Sequence, residues 1–372
     1  MERIAIIALT RGGCQTALQL GKLLPEADVY LKEGALPQAE TAKKAEKFAE
    51  SLAQLIARIY SQYDGFVMIM ATGIVFRTFA PYVVHKSRDP AVVVMDEKAH
   101  FAISLLSGHL GGANQLARRI AGLCSERSEY FDEPCQAVIT TATDVRQKPA
   151  FDLLAQQNGC KISNLDELKY ISSALVNGRQ VALLSRLPLA EKSVPPEVVR
   201  CADVAEVAWP ELVLISPYVE DTASAPDQLR HILRLVPCNL VLGVGCKRHT
   251  AAEVLLTAAA DFLAVNRIEP GALCAVASVD LKRNEPGILA LAAHYQLPFL
   301  TYTAEELRPC AEKTAAEDRS DFVQSVTGTP SVAQAAALLA ASETGEGRTL
   351  IAKTRYPGIT LSLAEKPWTF KF

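Results

Sequence analysis

The sequence predicts an α/β protein of three domains, each an open, mostly parallel sheet flanked by helices. Three observations predict it. Short continuous apolar runs such as GFVMIMATG (Gly65–Gly73) and AVVVMDE (Ala91–Glu97) suit strands buried on both faces. Segments with helical spacing alternate with these runs. Strand, glycine turn and helix follow one another at RIAIIALTRGGCQTALQLGKLL, and again at LVLGVGCKRHTAAEVLLTAA.

Taken in order, RIAIIAL (Arg3–Leu9) is β-rich and opens the first domain, 1–132. TAKKAEKFAESLAQLIARIY (Thr41–Tyr60) carries apolar residues at helical spacing, so the whole stretch is predicted as helix. IVFRTFAP reads as a short helix ended before Pro81. SGHLGGAN (Ser107–Asn114) sits where a strand-side turn feeds the helix QLARRIAGL. The second domain, 133–237, runs through AVITTATDV, the helical FDLLAQQNG and the strands VALLSR and ELVLISP. LPLAEKSVPPEVVR is Pro-rich and charged and reads as a loop. The third domain, 238–372, ends with TLIAKT and ITLSLA, a strand pair joined by RYPG. Before that pair comes a helix, Ser331–Ala341, with Ser331 as N-cap.

The chain has 372 residues, is 49% hydrophobic and carries a formal charge of -3. No long basic run argues for nucleic acid, but local basic clusters still suit an anionic ligand. The nine cysteines contain no C-x-x-C pair, which fits a reducing cytoplasm better than a disulfide scaffold. The first apolar run is too short for a signal peptide, and no run approaches the ~20 residues that span a membrane.

Four places could carry chemistry. In SGHLGGAN, Gly108, Gly111 and Gly112 allow close backbone approach, and a helix start favours anions. His109 could exchange protons near neutral pH, and Asn114 could orient a ligand. A tight turn with a structural histidine explains the same string. In ATGIVFR, Thr72 and Gly73 close a buried strand and Arg77 could hold a carboxylate; a surface ion pair explains it equally. Lys86, in VVHKSRDP, is a nearby cation or part of a solvated loop. The GVGCKRHT turn offers Gly245, Cys246, Arg248 and Thr250. Its last fingerprint position is Arg248, so a dinucleotide site fails. Cys246 and His249 lack a second pair for zinc, so no metal site is expected. Asp280, Lys282 and Glu285 form a mixed-charge group between a strand and a helix, which a helix N-terminus also explains.

In order, ATGIVFRTFAP, K-x-x-DPAVVVMDE and ISLLSGHLGGAN resemble the N-terminal domain of the cobalt-precorrin-5A hydrolases. VITTATDV with F-D-x-x-A is similar to their middle domain. LVLGVGCKRHT, ASVDLKRNEPGI and SVAQAAALLA resemble their C-terminal domain. Two positions depart: His249 stands where the family has glycine, and Gln334 where it has glutamate. The resemblance implies opening of a δ-lactone on a cobalt-containing macrocycle and release of acetaldehyde, in the anaerobic branch of cobalamin synthesis. The cobalt comes with the substrate, so no cofactor is expected. The expected roles follow. His109 is acid or base, and Asp96 or Glu97 orients it. The N–H groups of Gly111 and Gly112 serve the oxyanion. Arg77, Lys86, Arg248 and Lys282 hold peripheral carboxylates. A cytoplasmic protein is expected, with a corrinoid as its partner. Neighbouring pathway enzymes and a homodimer are compatible with it. A corrinoid carrier without turnover is the alternative.

Overall fold

A computed structural model describes residues 3–35, 45–85, 88–127, 129–190, 194–312 and 332–372. The chain is α/β and divides into two compact units, 1–153 and 154–372.

The first unit is built on a seven-stranded sheet in the order β3-β2-β1-β4-β5-β6-β7. Its strands are β1 (Ile4–Ala8), β2 (Ala27–Lys32), β3 (Ala45–Phe48), β4 (Gly65–Ile69), β5 (Ala91–Met95), β6 (Phe101–Leu106) and β7 (Gln136–Val138). Helices α1 (Arg11–Leu23), α2 (Leu52–Ile59), α3 (Thr72–Phe79) and α4 (Ala113–Ser125) cover it. Alternation along the strands explains the layering. Ile4, Ile6, Val67, Ile69, Val93 and Met95 face α1 and α4. Ala5, Ile7, Phe66, Met68, Val92 and Val94 face α2 and α3.

β1 to β5 run parallel. β6 turns back antiparallel to β5, with Val92 opposite Leu106 and Met95 opposite Ala102. The connection from Asp96 to His100 is too short to cross the sheet. Asp96 closes it, accepting hydrogen bonds from the N–H groups of Lys98 (3.0 Å) and Phe101 (2.8 Å). After α4, β7 returns parallel to β6.

Two expectations change here. Part of the helix predicted over Thr41–Tyr60 is strand: Ala45–Phe48 pairs with β2, burying Phe48. The helix starts only after Ser51, whose side chain forms a capping box with Gln54. The second domain is expected to open with the run beginning at Ala137, but Gln136–Val138 is the edge strand of the first sheet.

The second unit holds two five-stranded sheets, each in its own order. The first is β10-β9-β11-β12-β8, from β8 (Cys160–Ile162), β9 (Val181–Ser185), β10 (Val198–Arg200), β11 (Glu211–Ile215) and β12 (His231–Pro237). The stretch read as a loop at 187–200 therefore ends in a short edge strand. The other is β15-β14-β13-β17-β16. β13 (Leu240–Cys246), β14 (Leu273–Val279) and β15 (Phe299–Tyr302) are parallel. β16 (Arg348–Tyr356) and β17 (Ile359–Glu365) form the closing antiparallel pair. The predicted cap Ser331 lies outside the described residues.

The helix Ala333–Ala341 packs directly on β13. A Cβ at Gly243 would run into the carbonyl of Ala333. Gly243→Ala should therefore cost about 1–3 kcal/mol through overpacking and lower Tm by several degrees in calorimetry. Gly122→Ala, on α4 with open space around it, should leave Tm unchanged or raise it.

Candidate functional site

The direction of β6 decides where the sequence motifs go. β6 ends beside the start of β5, and β7, parallel to β6, runs toward the same edge. The loop after β6 is SGHLGGAN, and the segment after β7 is TTATDV. The two meet. Thr72, Gly73 and Arg77 follow β4, and Asp96 and Glu97 follow β5, so they lie at the opposite edge of the sheet. They share no contact with His109 among the described residues.

His109 is held between two carboxylates. Its Nδ1 lies 3.1 Å from Asp152 Oδ2, and its Nε2 lies 2.7 Å from Asp144 Oδ2. Thr143 Oγ1 is 3.2 Å from the same Nε2. Asp144 is fixed in turn by Arg118 (2.5 Å to Oδ1) and by Asn114 Nδ2 (2.9 Å to Oδ2). Asn114 also donates to Thr141 Oγ1 at 3.0 Å and accepts from Ser104 Oγ at 2.6 Å. Asp152 stands in the first turn of the helix Phe151–Gln157 and is buried.

This geometry sets the charges. The hydrogen bond to Asp152 raises the His109 pKa above its ordinary value of 6.5; burial opposes it, and Asp144 adds to the rise. Burial pushes the Asp144 carboxyl up, but the bonds from Arg118 and His109 outweigh it and leave it below its ordinary 3.8. Both ring nitrogens face carboxylate oxygens, which favours the protonated imidazole, and an arginine holds the outer carboxylate.

Several expected roles are corrected. Asp96 closes the β5–β6 turn. Glu97 accepts a hydrogen bond from Thr10 at 2.7 Å. Neither orients His109, because β6 carries the histidine to the other edge; Asp144 and Asp152 take that part. The Gly112 N–H donates to the His109 carbonyl at 2.9 Å, so it is spent on the turn and cannot serve an oxyanion. Asn114 is buried and fully bonded, so it holds Asp144 rather than a ligand. Gly108 leaves room for it, since a Cβ there would come 2.7 Å from Asn114 Oδ1. A Cβ at Gly111 would collide with Ser107. Arg77 is exposed and makes no ion pair among the described residues. Lys86 lies outside them.

In the second unit, the expected residues gather at the ends of β13 and β14. Lys282 donates to Glu285 at 2.9 Å, and the His249 N–H donates to the same carboxylate at 2.7 Å. Lys282 is thus engaged by Glu285 rather than free for a substrate carboxylate. Burial pushes the Glu285 carboxyl up, but Lys282 and the His249 N–H pull it lower overall. Thr250 closes the turn on the Lys247 carbonyl at 2.8 Å. Burial raises the Cys246 thiol above its ordinary value and keeps it protonated at neutral pH. Arg248 is exposed; Asp280 is half-buried at the end of β14; Gly245 has ordinary space around it. His249 takes φ 59°, a left-handed conformation that suits the family's glycine. Among the described residues, no group of three or more His, Cys, Asp or Glu is placed to hold a metal ion.

Sequence reading missed Asp144, Asp152, Arg118, Thr141 and Thr143. The signal was present in TTATDV and the aspartate of FDLLA, but nothing local ties them to a histidine 35 and 43 positions earlier.

Comparison with known proteins agrees with the motif order. Residues 54–144 match the family described as Cobalamin synthesis G N-terminal. Residues 149–237 match Cobalamin biosynthesis central region, and 240–364 match Cobalamin synthesis G C-terminus. A cobalt-precorrin-5A hydrolase of Salmonella typhimurium is 35% identical over 369 residues, spanning 97% of each chain. One from Priestia megaterium is 28% identical over 98% of this chain and 95% of its own. Protein CobE of a Sinorhizobium species is 42% identical over 102 residues, 27% of this chain and 65% of its own. The full-length match at this identity, with the three domain matches in order, shows that the chain belongs to the cobalt-precorrin-5A hydrolase family.

Proposed function

We infer that the protein is itself a cobalt-precorrin-5A hydrolase. It opens the δ-lactone of the cobalt-containing macrocycle and releases acetaldehyde, giving cobalt-precorrin-5B in the anaerobic branch of cobalamin synthesis. The observation that carries this reading is the 35% identity along 97% of both chains. A carrier without turnover is less well supported, because the relatives that match along nearly the whole chain are named as hydrolases. The cobalt belongs to the substrate, and the reading includes no cofactor of the protein's own. We place the protein in the cytoplasm; its nine cysteines form no disulfide, and no helix among the described residues is long and apolar enough to cross a membrane. Neighbouring pathway enzymes and a second copy of the chain are its candidate partners.

The proposed acid is His109. Water adds to the lactone carbonyl, losing a proton to solvent, and gives an oxyanion; its collapse breaks the ring C–O bond and expels an alkoxide that needs a proton. A histidine held protonated by two carboxylates is suited to give that proton first and to take it back from the new hydroxyl as the aldehyde C=O forms and the electron pair of the breaking C–C bond passes to the macrocycle. To reach the substrate, Nε2 has to leave Asp144. Asp144 keeps Arg118 and Asn114 when it does, so the carboxylate stays in place. Asp152 keeps its hold on Nδ1 and fixes the ring. The Gly111 N–H, unbonded among the described residues, is the remaining loop donor for the oxyanion. Arg77 and Arg248 are the expected groups whose charges stay open to substrate carboxylates.

Purified protein incubated with cobalt-precorrin-5A should release stoichiometric acetaldehyde, with a matching mass loss in the macrocycle. His109→Ala should slow turnover by roughly 10²–10⁴-fold; a loss of only a few-fold would remove His109 from the chemistry.

Linkage gives a further test. The raised His109 pKa means its pairing stabilises the fold fully below about pH 6.5 and less as pH climbs through the folded value. The lowered Asp144 pKa acts oppositely: its contribution holds above about 3.8 and is lost as pH falls through the folded value. Asp152→Asn should therefore lower the His109 midpoint in an NMR titration. It should also cost more stability at pH 6 than at pH 9 in denaturant unfolding. An unchanged midpoint would remove Asp152 as the main cause of the shift.

A further inference from the structure

Much of the apolar surface that the first unit leaves uncovered lies in one short segment. On α3, Val75 and Phe79 are buried against the sheet. Phe76, 66% exposed, stands on the flank of the helix, Ile74 is exposed on the other flank, and Arg77 points away from the sheet. Just beyond the helix, Val83 and Val84 are exposed, Val84 by 75%. Burying such side chains is worth enough that a face like this implies a partner. The segment leads to the loop that bears His109. The Val84 N–H donates to Asp89 Oδ1 at 3.0 Å, and the Asp89 carbonyl lies 3.3 Å from where a Cβ would sit on Gly111.

We propose that this segment, 74–84, is the docking surface for the face of the cobalt tetrapyrrole, an inference that rests on the hydrolase reading. A flat conjugated macrocycle with carboxylates on its rim asks for two things. Its face needs an aromatic or branched apolar surface, which Phe76, Val83 and Val84 offer. Its rim needs cations that are not already paired. Arg77 and Arg88 are exposed and make no ion pair among the described residues. Arg77 folds along Gly73, where a side chain would come 3.4 Å from its Nη1, so a glycine there keeps the guanidinium close to the helix. A second copy of this chain is a poorer occupant. A two-fold contact through this face would set Arg77 of each copy against the same cationic patch. The continuity of the segment with Asp89 and Gly111 puts a ligand bound there next to the loop that presents His109.

The test uses the full-length protein, wild type beside Phe76→Ser/Val84→Ser and Arg77→Gln. Cobalt-corrinoid affinity is read by absorbance titration, turnover by acetaldehyde, fold by Tm and self-association by sedimentation. The double variant should bind about tenfold more weakly or worse, with kcat within a few-fold and Tm unchanged. Arg77→Gln should bind more weakly, with a flatter dependence on salt. Wild-type affinity in the double variant overturns the proposal. So does loss of self-association with corrinoid binding intact, which makes the face a contact between copies. If the wild type binds the corrinoid without releasing acetaldehyde, and the double variant loses that binding, the hydrolase reading fails and the docking surface stands. If the wild type binds no corrinoid, both fail.

Discussion

The site in the first unit depends on one turn of the chain. Between Met95 and Phe101 there is no room for a crossover, so β6 reverses against β5. That reversal puts the end of β6 at the edge where β1 to β5 begin. α4 then carries the chain back, and β7 runs parallel to β6 toward the same edge. Residues 107–112 and 141–145 become neighbours only through this β6–α4–β7 unit. A parallel β6 would have carried His109, and Asp144 with it, to the edge where Asp96 and Glu97 stand.

The group so assembled is costly to build and is built completely. Charges taken out of water need partners, and a lone carboxylate in a half-buried site is strongly disfavoured. Here each charge has an answer. The imidazolium answers both carboxylates, Arg118 takes the outer oxygen of Asp144, and Asn114 takes the inner one. Asn114 can do this because Ser104 holds its carbonyl oxygen from within the sheet. The orientation of the ring thus rests on a chain of bonds running back into β6. Arrangements of this kind, a titratable pair shifted in opposite directions, are where acid–base work is found.

Most elements were legible in the sequence. Buried runs such as GFVMI and AVVVM became central strands because nothing in them alternates. Ala45–Phe48 was not legible, since its two adjacent charges lie between apolar residues three positions apart, which fits a helical turn; only the pairing with β2 makes it strand. Of the site, the histidine and its glycines could be read, because loop chemistry is local. Its partners could not, because Asp144 and Asp152 stand 35 and 43 positions further on. The short Asp96–His100 connection was the one clue to the direction of β6, and it bears on topology rather than on any residue.

SGHLGGAN looks like a string of functional residues, yet its members divide sharply by role. Gly108 is small because Asn114 needs the space, and Gly111 because Ser107 does. Gly112 takes φ 85° and bonds back to His109, closing the turn before α4. Asn114 is buried under the loop and braces Asp144. Only His109 combines a titratable group with access to solvent. The DE pair after β5 divides in the same way. Asp96 caps a turn, and Glu97 ties the end of β5 to α1 through Thr10 and, by its carbonyl, through Thr16. A dense and specific motif is therefore weak evidence for many catalytic residues. Here it is the scaffold that a single imidazole needs to meet two aspartates from elsewhere in the chain.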